Sequence, residues 1–321
     1  MAFAAFAAVA AIGTGSAVQA SAMSGIITSN ADVPAWIVGI VIVVLVSAVI
    51  FGGVQTISKV CEKLVPFMAV AYAAGCIVIL VLNGSLLGEA LGLILECAFT
   101  PKAAFGGAVG SGLMMALQFG CARGLFSNES GLGSPIVASA ASTRNPAQQA
   151  LVAMTGTFWS TVVICALTGI VLVSTMLANP DIASSIMANP TVYSGAMLAS
   201  EAFAKIPYIG TPILVLGMVA FSYTTILGWS YYGNRCITYL FGRYAIRPYQ
   251  VIYVAVAFLG AIGVGDIVWT ISDIGNALMA IPNIIVVLLL SGMIARETRH
   301  YVYDGHLDEA DDTPIPQLES K

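Results

Sequence analysis

Apolar residues in this chain come in long unbroken runs, not in the one-sided stripes of a soluble fold. Runs of about 20 apolar residues, the length that crosses a bilayer as a helix, occupy residues 3–27, 35–57, 64–83, 104–141, 148–177, 208–234, 250–268 and 274–295. The fourth is too long for a single crossing. Two shorter stretches, 86–99 and 182–205, fit interfacial or re-entrant helices. Pro34, Pro146, Pro207 and Pro248 each sit at the start of a span, where a missing N–H costs no hydrogen bond. The pattern predicts an all-α polytopic membrane protein, with eight spans in a transmembrane domain over residues 1–299.

The polar exception lies inside the fourth run. Cys121 to Ser134 reads CARGLFSNESGLGS, which sets charges, hydroxyls and glycines at membrane depth. Irregular polar backbone is tolerated there only where it is buried in protein or lines a water-filled cavity. Secondary transporters bind substrate and ions at broken helices of this kind.

Composition agrees. The chain is 59% hydrophobic and 9% charged, against about 25% charged residues in soluble domains. The net charge of -4 says little, because six of the sixteen acidic residues lie in the tail after Arg299. Residues 300–321 read as a solvated, disordered, acidic tail. The two histidines, His300 and His306, both lie in that tail, which excludes a histidine-based catalytic site in the membrane. Six scattered cysteines without a CxxC pair read as small apolar filler. The first 22 residues have the small apolar character of a secretory leader but lack its positive start, so they read as a spanning helix.

Orientation follows from Lys and Arg in the short loops. Lys59, Lys63, Arg144, Arg235, Arg243, Arg247, Arg296 and Arg299 all fall on one side if the spans alternate. The opposite loops carry Asp32, Glu89, Glu96, Asp181 and Glu201, with Lys102 and Lys205 as their positive charges. Both termini are therefore expected in the cytoplasm.

Three constellations could carry chemistry. Arg123 and Glu129 are charges inside the fourth run, six residues apart. They either mark a functional path or neutralise each other and cap the broken ends. Asn128, Ser127 and the freed amides near Gly131 suit a small zwitterion, whose carboxylate is favoured at a helix N-terminus. In the second, Ser222, Thr224 and Thr225 lie within one turn of an apolar span. Their hydroxyls match the hard oxygen ligands of an alkali cation, or they bond to carbonyls one turn back. The third is Gln19, a mid-span amide that either joins helices or contacts substrate. The small residues of FGGAVGSG at 105–112 read as helix-packing surface.

At these residues the chain resembles the alanine/glycine:cation symporter family. The strings that carry the likeness are ARGLFSNESGLGS (122–134), TILGWSYYG (225–233), VCEKLVPFMAVAY (60–72) and ALMAIPNIIVVLLLSGMIARET (277–298). The likeness extends over nearly the whole chain to about residue 300. It implies a LeuT-type fold of two inverted repeats in the cell membrane, the inner membrane in bacteria. It also implies sodium-coupled import of alanine or glycine, with sodium as the coupling ion, a proton as the alternative, no other cofactor and no nucleic-acid partner. The substrate residues it implies are Gln19, Phe126, Ser127 and Asn128, with sodium at Thr224 and Thr225; the reading of the residues themselves adds Gly131 to the substrate set and Ser222 to the sodium set.

Family members begin with further helices that include a broken first core helix with a GTGNIAG-like motif. On that alignment Met1 falls at the third core helix, and GTGS at 13–16 resembles the motif only superficially. The alternative expectation is therefore a truncated, non-transporting remnant. An intramembrane enzyme is disfavoured, since HExxH, GxSxG and membrane histidines are all lacking. A channel would more naturally show a repeated pore loop.

Overall fold

Ala2–Asn30 forms one continuous helix, α1, rich in Ala and Gly and widened to a π-helical turn over Ala11–Ala17. In the computed structural model it is the element around which the others gather. The structure describes residues 1–99, 111–129, 131–134, 143–182, 195–263 and 265–310. The remaining helices are α2 (Ala35–Ile50), α3 (Val54–Leu82), α4 (Leu87–Phe99), α5 (Ser111–Asn128), α6 (Pro146–Ala178), α7 (Gly195–Ala204), α8 (Gly210–Phe241), α9 (Ile246–Ala261), α10 (Gly265–Leu289) and α11 (Ser291–Thr298). No strand occurs among the described residues.

Two of the expected spans are shorter helices, a third begins earlier, and the fourth falls mostly outside the described residues. Among the described residues, five helical stretches are long and apolar enough to cross a bilayer: α1, α3, α6, α8 and Val268–Leu289 of α10. Helix α2 stops at Ile50 because Gly53 adopts φ +82°. Its 16 residues reach about 24 Å at 1.5 Å per residue, short of a hydrocarbon core of about 30 Å. Helix α9 is equally short and ends before Gly263, at φ +99°, so α10 begins nearer the N-terminus than the apolar pattern indicates and takes in Asp273. Much of the long fourth run, the glycine stretch around 105–110 and part of 182–205 lie outside the described residues.

Small side chains let the helices around α1 approach closely. Helices α8, α9 and α10 all pack on it. A Cβ added at Gly15 would collide with Cβ of Trp229 on α8, and one at Gly260 with the backbone of Ala17. Water offers no hydrophobic drive between helices in lipid, so close packing and buried hydrogen bonds carry the association. Those bonds are present. Thr14 on α1 meets the Ser272 hydroxyl at 2.5 Å and donates to Asn276 Oδ1 at 3.1 Å. Ser16 donates to the Tyr253 carbonyl at 2.8 Å. Tyr249 and Tyr253 return hydroxyl bonds to the carbonyls of Ala8 and Ile226. The GTGS stretch is thus buried helix-to-helix contact.

A second apolar cluster joins α3, α6, α7 and α8 around Tyr72, Phe203 and Leu214. Tyr72 stacks on Phe203 at 5.5 Å and shares a hydrogen bond of 2.9 Å with Thr168.

The expectation of a wholly solvated tail is corrected over its first residues. Arg299–Tyr303 continues from α11 as a π-helical turn, and Tyr301 is buried. Side chains at the start of α6 hold the residues that follow. Residues 311–321 lie outside the described residues.

Candidate substrate site at the broken helix

Helix α5 ends because three residues in quick succession take left-handed backbone: Glu129 at φ +56°, Gly131 at +90° and Gly133 at +84°. Glycine adopts this region freely, whereas Glu does so only where its surroundings hold it. Here the Glu129 carboxylate accepts from Ser134 Oγ at 2.6 Å and from Trp229 Nε1 at 2.9 Å. Asn283 of α10 donates to the Gly131 carbonyl at 2.8 Å. Leu132 is fully buried in the core that contains α1 and α8. The break is therefore pinned from α8 and α10, the two helices that also flank α1.

Arg123 and Glu129 do not neutralise each other. Arg123 pairs with Asp273 of α10 at 2.6 Å, with its guanidinium 4.5 Å from the Trp269 ring centre and 5.8 Å from that of Phe126. Phe126 in turn lies 5.7 Å from Trp269. These contacts fix the last turn of α5 against α10 just before the break.

The other expected substrate residues face α6. Asn128 Nδ2 donates to Thr161 Oγ1 at 2.6 Å, and Ser127 Oγ lies 3.4 Å from Cys165 Sγ. Both partners belong to the π-helical stretch Phe158–Cys165, a local widening of the kind often found at functional sites. Ser127 is exposed. Phe126, Ser127, Asn128 and Gly131 are thus gathered at one break. Gln19 is on α1, half-buried, with Nε2 donating to the Thr14 carbonyl of its own helix at 3.4 Å.

On α8, Thr224 donates to the Ala220 and Phe221 carbonyls at 2.9 and 3.1 Å, and Thr225 to the Phe221 carbonyl at 2.8 Å. The hydroxyl protons are spent on the helix, which leaves the oxygens free to accept. Ser222 and Thr224 are buried. A helix turns about 100° per residue, so Ser222 and Thr224 point in nearly opposite directions. Ser222 lines a cavity of about 320 Å³ with Tyr72, Thr168 and Phe221.

Trp229, Trp269, Asp273 and Asn283 hold this site together, and the sequence reading did not single them out. A signal existed for the α10 pair. Ser272, Asp273, Asn276 and Asn283 place polar groups at close to helical spacing in an otherwise apolar segment, the pattern of a face turned toward protein.

The irregular polar turn of this helical multi-pass membrane protein is clamped between neighbouring helices. The chain belongs to the sodium:alanine symporter family, whose sequence profile matches residues 1–313. This is a family of transporters, not enzymes. The chain is 43% identical over 303 residues to the sodium/alanine symporter AgcS of Methanococcus maripaludis, covering 94% of this chain and 64% of the relative. It is 42% identical over 297 residues to an uncharacterized transporter of Haemophilus influenzae, covering 91% and 63%. It is 30% identical over 269 residues to the probable sodium/glutamine symporter GlnT of Bacillus subtilis, covering 82% and 53%. The chain thus spans under two thirds of the length of these relatives.

Proposed function

We propose that this chain carries a small neutral amino acid, alanine or glycine, into the cell together with sodium, on a LeuT-type inverted-repeat framework. The observation that carries the reading is the break after Asn128. It exposes helix-end groups beside Ser127 and Asn128, and Glu129, Trp229 and Asn283 hold it in place. Carbonyls at the end of α5 carry partial negative charge and suit an ammonium or sodium ion. Phe126, packed on Trp269, would offer an apolar side to the ligand, Gly131 has open space for a ligand at its backbone, and Gln19 is the candidate contact from α1. Thr224 and Thr225 offer neutral oxygens to sodium, with Ser222 as an alternative partner for Thr225.

The reading extends to topology. The Lys and Arg bias of the loops supports a topology with residues 1–299 in the plasma membrane and both termini, with the acidic segment 300–321, in the cytoplasm.

The test is uptake of labelled alanine by liposomes carrying this chain, with external sodium or choline. Sodium-dependent accumulation, competed by unlabelled alanine and glycine, is expected. Uptake driven by a pH gradient with sodium absent would overturn sodium as the coupling ion, and no uptake under either gradient would overturn the transport reading. Orientation is checked by fusing a reporter active only outside the membrane to Lys321; a strong signal would reverse the topology.

A further inference from the structure

The start of α6 is a receptor for the backbone of the tail. Asn145, buried at the helix start, accepts from the Gln148 amide at 2.9 Å through Oδ1, an N-cap. Its Nδ2 is left to donate outward, to the Leu307 carbonyl at 2.8 Å and the Glu309 carbonyl at 2.9 Å. Gln148 repeats the division of labour. Its Oε1 accepts from the Arg144 amide at 3.0 Å, and its Nε2 donates to the Leu307 carbonyl at 2.9 Å. Arg144 Nη1 donates to the Asp308 carbonyl at 3.1 Å. Three successive tail carbonyls are thus read by three side chains near one helix end.

The tail is shaped to present them. His300 and His306 stack at 4.7 Å with their planes 15° apart, His306 Nδ1 meets Glu309 Oε1 at 2.8 Å, and Tyr301 is buried beside them. The Glu309 amide donates to the His306 carbonyl at 3.0 Å, which closes the turn. Backbone groups held this way are ordered at a cost in entropy that casual surface contact does not repay.

The strap joins the two elements that grip the break. Helix α6 holds Ser127 and Asn128 through Cys165 and Thr161. Helix α10, which runs on through α11 into the strap, holds Arg123 and Gly131 through Asp273 and Asn283. We infer that residues 299–309 are a brake: docked on Arg144, Asn145 and Gln148, they tie α6 to the end of α10–α11 and restrain opening of the broken helix. The inference rests on the proposed function in taking the break as the part that moves, but its test does not require transport.

The variant Asn145→Asp/Gln148→Glu keeps both accepting oxygens, hence the cap and the Arg144 contact, and removes the donors of three strap bonds. Deuterium exchange at amides 304–309 reads docking. The labelling rate of Ser127→Cys by a water-soluble maleimide, in a background with the native cysteines replaced, reads opening of the break. Exchange is expected to quicken about tenfold and labelling about threefold, the response to a closed population held by several modest hydrogen bonds. Arg144→Ala, which leaves the Asn145 cap intact, should shift both in the same direction by less, and it separates release from misfolding. Faster exchange with unchanged labelling in both variants would overturn the brake. Unchanged exchange would overturn the docking itself. Sodium-dependent uptake is measured separately, so its absence counts against transport and not against the strap.

Discussion

Trp229 of α8 donates its indole N–H to the Glu129 carboxylate at 2.9 Å, across a hundred residues of sequence. Trp229 is almost fully buried, and Glu129 sits in left-handed backbone that its side-chain contacts must hold. The bond therefore links the position of α8 to the geometry of the break. Trp229→Phe keeps the ring and removes the donor, leaving the carboxylate with Ser134 alone. A buried acceptor that loses one partner costs about 1–3 kcal/mol. The thermal midpoint of the detergent-solubilised protein should fall accordingly; an unchanged midpoint would show that the bond contributes nothing.

The same tryptophan sets a steric prediction. Gly15 faces Cβ of Trp229 with no room for a side chain, and the Tyr253 hydroxyl would lie 3.0 Å from an added Cβ. Gly25, on the same helix, has nothing within 4 Å. Gly15→Ala should destabilise by about 1–3 kcal/mol through overpacking and reduce the fraction recovered as a monodisperse species. Gly25→Ala should be neutral or slightly stabilising, since Ala favours helix. Equal behaviour of the two variants would refute the close approach of α1 and α8.

Much of this was legible from the run lengths and the glycine-broken string at 121–134, because lipid admits so few backbone solutions. The break, the polar residues around it and the back-bonding threonines were all visible as sequence. The partners were not. Arg123 finds Asp273, 150 residues away, and an apolar-run reading that splits the chain at 268 and 274 puts that aspartate in a gap. The short α2 and α9 were overestimated because apolar content does not show where Gly53 or Gly263 turns the chain. The tail looked disordered because its docking uses backbone carbonyls, which composition does not register.

The Arg123–Asp273 pair gives a prediction about coupling. Each side chain is a little over a third exposed, at 39% and 35%, so the pair is partly screened. Breaking it from one side nonetheless leaves a lone charge among Trp269, Phe126 and the apolar faces of α5 and α10. Arg123→Gln and Asp273→Asn should each destabilise, and the double variant should be less impaired than the two effects added. A coupling of about 0.5–3 kcal/mol is the range for residues in direct contact. Strict additivity in thermal unfolding would mean that the two groups do not interact.

The sodium ligands proposed on α8 can be separated by helix geometry. At about 100° per residue, Thr225 lies next to Thr224 on one side of α8 and within a turn of Ser222 on the other, while Ser222 and Thr224 face apart. Thr225 is common to both possible ligand pairs. Thr225→Val should therefore raise the sodium concentration for half-maximal uptake whichever pair is used. The rise should be about three- to tenfold, because losing one ligand oxygen costs roughly 1 kcal/mol. Thr224→Val and Ser222→Ala then divide the cases. With sodium on Thr224 and Thr225, the first raises the requirement and the second leaves it alone; with sodium at the cavity beside Tyr72 and Thr168, the order reverses. Both threonine hydroxyls bond only to carbonyls of their own helix, so valine leaves no buried donor unpaired and stability should change little. A sodium dependence untouched by Thr225→Val would remove the ion from α8 altogether.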